Sequence, residues 1–141
     1  MIKIKKKQTE KNNLFSLFKQ KNNSRSLLGD NAENLAEDFL VRKKFKLIQA
    51  NFRTKMGEID RIMLDSRTLV FVEVRYRKNS QVSPIESVDI FKQRKLIKTA
   101  KLFLLKYPQY EHYPCRFDVV GLKDLNFSSI IWVKDAFQLE E

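Results

Sequence analysis

Hydrophobic and polar positions recur along this chain with two different periods. Over residues 28–44, Leu28, Ala32, Leu35, Ala36, Phe39 and Leu40 return at spacings of three and four, which builds one apolar stripe and predicts an amphipathic helix. Glu33 and Glu37 stand four apart and share a face beside that stripe. Residues 46–53 (KLIQANFR) read as a first strand and, after Gly57, residues 58–64 (EIDRIML) as a second. Asp65 to Thr68 forms a turn, and 69–76 (LVFVEVRY) is the clearest strand in the chain, rich in β-branched and aromatic residues. Pro84 falls in a loop. Ser87 or Asp89 is placed to cap a long helix running to about Lys106, with Phe91, Leu96, Ile97, Ala100, Phe103 and Leu104 as apolar positions, and Pro108 stops it. Residues 115–121 (CRFDVVG) and about 129–133 (SIIWV) are two further strands. The order α-β-β-β-α-β-β, without a repeat or a second domain, predicts an α/β fold with a mixed β-sheet flanked by helices.

Charge adds a division that the apolar pattern does not show. Of the net +11, residues 1–25 carry +7, from eight basic residues against Glu10; the remainder carries 20 basic and 16 acidic residues. Residues 1–26 therefore read as a basic, flexible tail and 27–141 as the folded domain. Such a tail suits nucleic acid or an anionic lipid surface, or serves only as a solvated extension. The single cysteine, Cys115, excludes an internal disulfide, and with one histidine, His112, it excludes a zinc cluster. No apolar segment follows the charged N-terminus as in a secretory signal, and no run approaches the roughly 18 apolar residues of a membrane span. The expected location is cytoplasmic.

The candidate chemistry lies on the hairpin of GEID (57–60) and VFVEVR (70–75). Alternation puts Glu73, Arg75 and Arg77 on one face of the strand, and Val70, Val72, Val74 and Tyr76 on the other, apolar one. If Asp65 pairs with Thr68, opposed positions place Leu64 by Leu69, Ile62 by Phe71, Asp60 by Glu73 and Glu58 by Arg75. Opposed Cβ atoms lie roughly 4.5–5.5 Å apart, so two carboxylates would stand side by side, which is unfavourable without a cation or a shared proton. A hard divalent ion is held by such an oxygen pair. Ser66-Arg67 is not a favoured two-residue turn, and a slip of one residue would send Asp60 to the opposite face. The competing reading is a charged strand face balanced by pairs such as Glu58–Arg75.

An acid on one strand followed by Glu-x-Arg on the next resembles the PD-(D/E)XK pattern of restriction-endonuclease-like nucleases. The series GDNAENLAEDFL, MGEIDRIMLD, LVFVEVRYR, KQRKLIKTAKLFL and CRFDVVG, over about residues 29–137, is similar to the YraN family, a bacterial family resembling archaeal Holliday-junction resolvases in fold. The resemblance implies a restriction-endonuclease-like sheet. It implies that Asp60 and Glu73 bind Mg²⁺ or Mn²⁺, that Glu33 is the helical acid such nucleases add, and that Gln93 is a polar residue facing the site. Arg75 stands where the nuclease pattern usually has lysine. Arginine effectively never gives up its proton, so it could orient a phosphate but not act as a base.

Arg94, Lys98 and Lys101 line one helical stripe with Lys92 and Lys95 beside it; the stripe could follow phosphates or be an ordinary solvated face. Arg53, Arg75 and Arg77 would extend a positive surface near the hairpin. Asp118 is expected to pair with Arg116 or an exposed lysine, His112 to lie on the surface, Trp132 to be core, and Cys115 to be a small buried residue. Two functions follow. One is a metal-dependent endonuclease hydrolysing DNA phosphodiesters, with branched DNA as a candidate substrate; the other is a DNA- or RNA-binding or protein-interaction module on a nuclease fold. Nucleic acid, DNA first, is the implied partner, and a homodimer is compatible with either.

Overall fold

The computed structural model describes residues 28–78 and 81–138. Two compact units divide the chain, Met1–Asn31 and Ala32–Glu141. The account below concerns the second; the tail read over residues 1–26 lies outside the described residues. Residues 28–42 are helical (α1). Five strands follow the predicted order: β1 (Lys46–Thr54), β2 (Gly57–Asp65), β3 (Thr68–Tyr76), β4 (Cys115–Leu122) and β5 (Ile130–Phe137), with helix α2 (Ile90–Lys106) between β3 and β4. They form one mixed sheet in the order β1-β2-β3-β4-β5, antiparallel except for the parallel β3–β4 pair, which α2 connects as a crossover. No helix among the described residues is long and apolar enough to cross a membrane.

Helix α1 ends two residues before the apolar stripe suggested. Lys44 adopts φ 73°, Lys44 N donates to Val41 O and Phe45 N to Leu40 O, the two bonds of a Schellman stop. Phe45 then folds back onto the same core as Leu40, which supplies the apolar contact the stop calls for. Helix α2 begins at the second of its two candidate caps: Asp89 Oδ1 accepts the Lys92 N–H at 2.8 Å. Phe91 is not one of its inward positions but is 68% exposed, and Thr99 takes a buried place, its hydroxyl donating to Lys95 O. The last strand runs to Phe137 rather than stopping near 133.

Both faces of the sheet are covered. On the α2 side, Phe52, Ile59, Ile62, Leu69, Phe71 and Phe117 pack with Leu96, Ala100 and Phe103. On the α1 side, Met63, Val70, Val72, Val120 and Leu122 pack with Ala32, Ala36 and Leu40. The near-continuous apolar run of β3 thus serves two cores, as a strand of a helix-covered sheet must. Leu69 and Phe71 occupy the face that Glu73 and Arg75 continue, so those charged residues lie where the α2-side core gives way to the surface.

The β2–β3 hairpin has the predicted register from Asp65–Thr68 through Ile62–Phe71 to Arg61–Val72. Ser66 makes the two-residue turn possible by taking φ 56° at its first central position, as in the II′ class. Beyond Arg61 the ladder ends. Ile59 and Ile62, three apart, both enter the α2-side core, while Arg61 and Met63 face α1, so the alternation of β2 breaks at Asp60. Across β1, Asn51 lies between the pairs Ala50–Arg61 and Phe52–Ile59 and adopts φ 52°. A distortion shared by two strands opens a notch in the sheet at Asp60.

Candidate metal centre

The notch gathers carboxylates. Asp60 Oδ2 accepts the backbone N–H of Val74 at 2.8 Å, so the side chain fills the position of a missing ladder carbonyl. Glu33 from α1, Glu58 and Asp60 bring one carboxylate oxygen each within 4.8 Å of one another. Glu73 approaches Asp60 from β3 and is 5% exposed. The expected neighbourhood of Asp60 and Glu73 is therefore present, but it comes from the break in β2 and not from a ladder pair. Glu58 is the member that the sequence offered only as a salt-bridge partner of Arg75. Its pairing is instead with Arg53, Nε to Oε2 at 3.2 Å. The Asn51 amide lies 3.0 Å from Glu33 Oε2 and 3.3 Å from Glu58 Oε1, and with its nitrogen turned to the acids Nδ2 donates to both, tying them to the β1 distortion.

Arg61 is the largest residue that pattern reading missed. It is 3% exposed and reaches from β2 to α1: Nε donates to Glu37 Oε1 (2.7 Å), Nη1 to Glu33 Oε2 (3.1 Å) and to its neighbour's carbonyl, Asp60 O (2.7 Å), and Nη2 to Asn34 Oδ1 (3.0 Å). The signal was present in Glu33 and Glu37, which share a face and need a cation. One guanidinium thus fixes the helix to the strand at the point where Glu33 meets Asp60.

On the other side of Asp60, Glu73 Oε1 lies 3.5 Å from both Arg75 Nη1 and Lys92 Nζ. Arg75 is held away from solvent by the turn before α2: its Nε donates to Ser87 Oγ at 3.1 Å and its Nη2 to Ser87 O. Ser87 Oγ in turn donates to Pro84 O at 2.7 Å. This turn is seated against the sheet by Gly121, where a Cβ would stand 2.1 Å from Pro84 Cγ. Gln93 is not joined to the carboxylates; its Nε2 donates to Val88 O at 3.0 Å, and the α2 residue that meets Glu73 is Lys92, one position earlier. Helical phase explains the difference, since adjacent residues point about 100° apart.

The electrostatics of the cluster are those of acids crowded without enough counter-charge. Burial and then the Asp60 charge push the Glu33 carboxyl up to about 7. Burial and then the Glu73 charge push Asp60 up to about 7, against the pull of the Val74 N–H. Glu73 is also raised by burial, although Lys92 and Arg75 oppose the shift. Such a set has the oxygen donors of a hard divalent-cation site; its oxygens, within 4.8 Å of one another, would close to about 3–4.2 Å around Mg²⁺ at metal–oxygen distances of about 2.1 Å.

The remaining candidates separate by place. Arg94, Lys98 and Lys101 line, with Gln93 and Phe137, a groove of about 630 Å³ along α2. Lys95 lies instead over Gly57, whose built Cβ would be 3.6 Å from the Lys95 Cβ. Arg77 is exposed, Nη1 donating to Tyr76 O. Asp118 stands apart from the cluster and is structural: fully buried, it accepts from Arg116 Nε, Trp132 Nε1 and Asp135 N, each at 3.0 Å. Trp132 closes the α1-side core, edge-on to Phe39 and Phe45. Cys115 is half-buried, and burial pushes its thiol pKa up, away from reactivity. His112 is exposed beside Glu111.

The stretch that builds this centre is also the stretch shared with other proteins. The profile of the Uncharacterised protein family UPF0102 matches residues 32–122, which run from the first residue of the second unit to the end of β4. The chain belongs to this family. UPF0102 is the YraN family that the motifs resembled. Among its UPF0102 relatives are a protein of Alcanivorax borkumensis, 41% identical over 83% of this chain and 96% of its own length, and one of Pseudomonas syringae pv. syringae, 44% identical over 81% and 95%. A Coxiella burnetii member is 44% identical over 80% of this chain and 93% of its own. The UPF0102 match contains Glu33, Glu58, Asp60, Glu73, Arg75 and Lys92 together.

Proposed function

We propose that the chain is a divalent-cation-dependent nuclease that hydrolyses phosphodiester bonds in DNA. The observation that carries this reading is the convergence on Asp60 of Glu33, Glu58 and Glu73 in a site where burial first, and for Glu33 and Asp60 then the neighbouring acid, raises the carboxyl pKa values. Asp60, Glu33, Glu58 and Glu73 would hold Mg²⁺ or Mn²⁺. When bound, the ion supplies charge neutralisation at the scissile phosphate and a water of lowered pKa. Arg61 fixes Glu33 against Asp60, and Val74 fixes the Asp60 carboxylate. The basic groove of α2 and the basic residues 1–25 favour a polyanion without selecting its sequence. Branched DNA is the substrate that the likeness to junction-resolving folds suggests.

The test is incubation of the purified chain with Mn²⁺ or Mg²⁺ and duplex, single-stranded and four-way DNA. At least one is cut, and Asp60→Asn and Glu73→Gln each abolish cutting while circular dichroism stays that of the parent. Equal cutting by these variants identifies a contaminant and removes the proposal.

A second reading, a nucleic-acid-binding module without turnover, is favoured by one feature: Arg75 is engaged by Ser87 and Glu73 and is not free to meet a phosphate in this arrangement. It predicts salt-sensitive DNA binding, no cutting, and little effect of Glu73→Gln on affinity.

A further inference from the structure

The cation that can meet a scissile phosphate at this centre is not the one on β3. All three nitrogens of the Arg75 guanidinium have protein partners, Ser87 Oγ, Ser87 O and Glu73 Oε1. Its planar fork is therefore locked in orientation and spent on joining β3 to the turn that precedes α2. Lys92 differs in each respect. Its ammonium is a compact charge with three donors on a flexible stem, its side chain is 36% exposed, and it meets Glu73 Oε1 at 3.5 Å. It projects from the first turn of α2, where its own backbone N–H is bound by Asp89. A cation in the first turn opposes the helix dipole, and that turn holds no acid, so local helix stability does not account for a lysine there. The end of the helix is capped by the Asp89 carboxylate, so the ammonium of Lys92 is the positive charge that α2 brings to Glu73.

We propose, building on the nuclease reading above, that Lys92 is the catalytic cation of this centre and that Arg75 is a positioning residue. Lys92 donates to a non-bridging oxygen of the phosphate under attack and stabilises the negative charge that grows there. In the absence of a divalent ion its ammonium is a counter-charge to Glu73, so Lys92 and a divalent ion compete for Glu73 Oε1. Arg75, through Ser87, sets the distance between β3 and the start of α2 and so aims the lysine. The role that one lysine plays in the usual strand motif is here divided between a strand arginine and a helix lysine.

The experiment compares the full chain with Lys92→Gln and Lys92→Arg, using the DNA that the parent cuts best and Mn²⁺. Neutralising a charge aimed at the transition state costs about 10²-fold or more in kcat with a much smaller change in KM. Lys92→Arg recovers part of that loss. Calorimetry with Mn²⁺ alone gives several-fold tighter binding for Lys92→Gln, because the competing ammonium is gone; a merely structural lysine would give that gain without the loss of kcat at saturating Mn²⁺. Cutting by Lys92→Gln at the parental kcat, with unchanged Mn²⁺ affinity, overturns this inference and leaves the nuclease reading standing. A parent chain that cuts none of the three DNAs overturns both.

Discussion

Asp60 is bound to β3 through the backbone of Val74, whose N–H its Oδ2 accepts at 2.8 Å, and not through a ladder pair with Glu73. The carboxylate has two tasks: it completes the hydrogen bonding of a strand whose partner has veered away, and it offers its charge to the cluster. These tasks separate by substitution. Asp60→Asn keeps an acceptor for Val74 and removes the charge. Asp60→Ala leaves a sheltered N–H unmet, at a cost of about 1–3 kcal/mol. Urea unfolding of the metal-free chain at pH 8 is expected to find Asp60→Asn at least as stable as the parent and Asp60→Ala clearly less so, with Mn²⁺ binding lost in both. An Asn variant weaker than the Ala variant would mean that the Val74 bond contributes little.

The raised pKa values fix a sign for pH dependence. Glu33 and Asp60 titrate near 7 in the folded chain against ordinary values of 4.5 and 3.8. Between about pH 4 and 7 the folded state holds protons that the unfolded chain has released, so their contribution to stability falls as pH rises and is lost fully above about 7. A divalent ion replaces those protons and stabilises most where the acids are ionised. Thermal midpoints in EDTA at pH 5, 6.5 and 8 are therefore expected to decline more steeply with pH for the parent than for Asp60→Asn, and Mn²⁺ is expected to raise the parent's midpoint most at pH 8. Parallel curves for the two proteins would show that Asp60 is not held in its neutral form.

How much of this was legible beforehand depended on whether periodicity continued. The hairpin register could be counted from Asp65–Thr68 because β2 and β3 alternate regularly as far as Arg61–Val72. It failed at Asp60, where the break in β2 is visible only as a mismatch between Ile59 and Ile62 that period-two reading passes over. The same count extended past the break pairs Glu58 with Arg75; the veering strand instead brings it to Glu33 and Asn51. Nothing in the pattern of β2 marks Arg61, because its partners lie on another element, far away in sequence. Lys92 and Gln93 could not be told apart until Asp89 fixed where α2 begins.

Arg61 supplies the sharpest test of how α1 is held. Its guanidinium is buried and serves Glu33, Glu37, Asn34 and the Asp60 carbonyl. Removing one partner of a buried ionic network leaves the others uncompensated, at about 3–5 kcal/mol. Arg61→Met is expected to lose that much by urea unfolding at pH 7.5, and Arg61→Lys to recover little, since an ammonium cannot serve four acceptors in the same fork. Lowering the pH towards 5 should return part of the loss, because Glu33 then gains a proton. Full rescue by lysine would show that charge alone matters and that the fork geometry does not.

The groove along α2 makes a prediction that does not depend on catalysis. Arg94, Lys98 and Lys101 are exposed along it, about 180–240° around α2 from Lys92, so a strand that meets them passes on the side of the helix turned away from Glu73. Each phosphate neutralised by a basic side chain releases condensed counter-ions, so log affinity for duplex DNA falls with log salt by about 0.9 per contact. Replacing all three with glutamine is expected to reduce the slope by about 2.7 and to weaken binding similarly for unrelated sequences. Fluorescence anisotropy with Ca²⁺ in place of Mn²⁺, from 50 to 300 mM salt, measures both quantities. A slope equal to the parent's would move the DNA path away from this groove and leave its three cations as a solvated helix face.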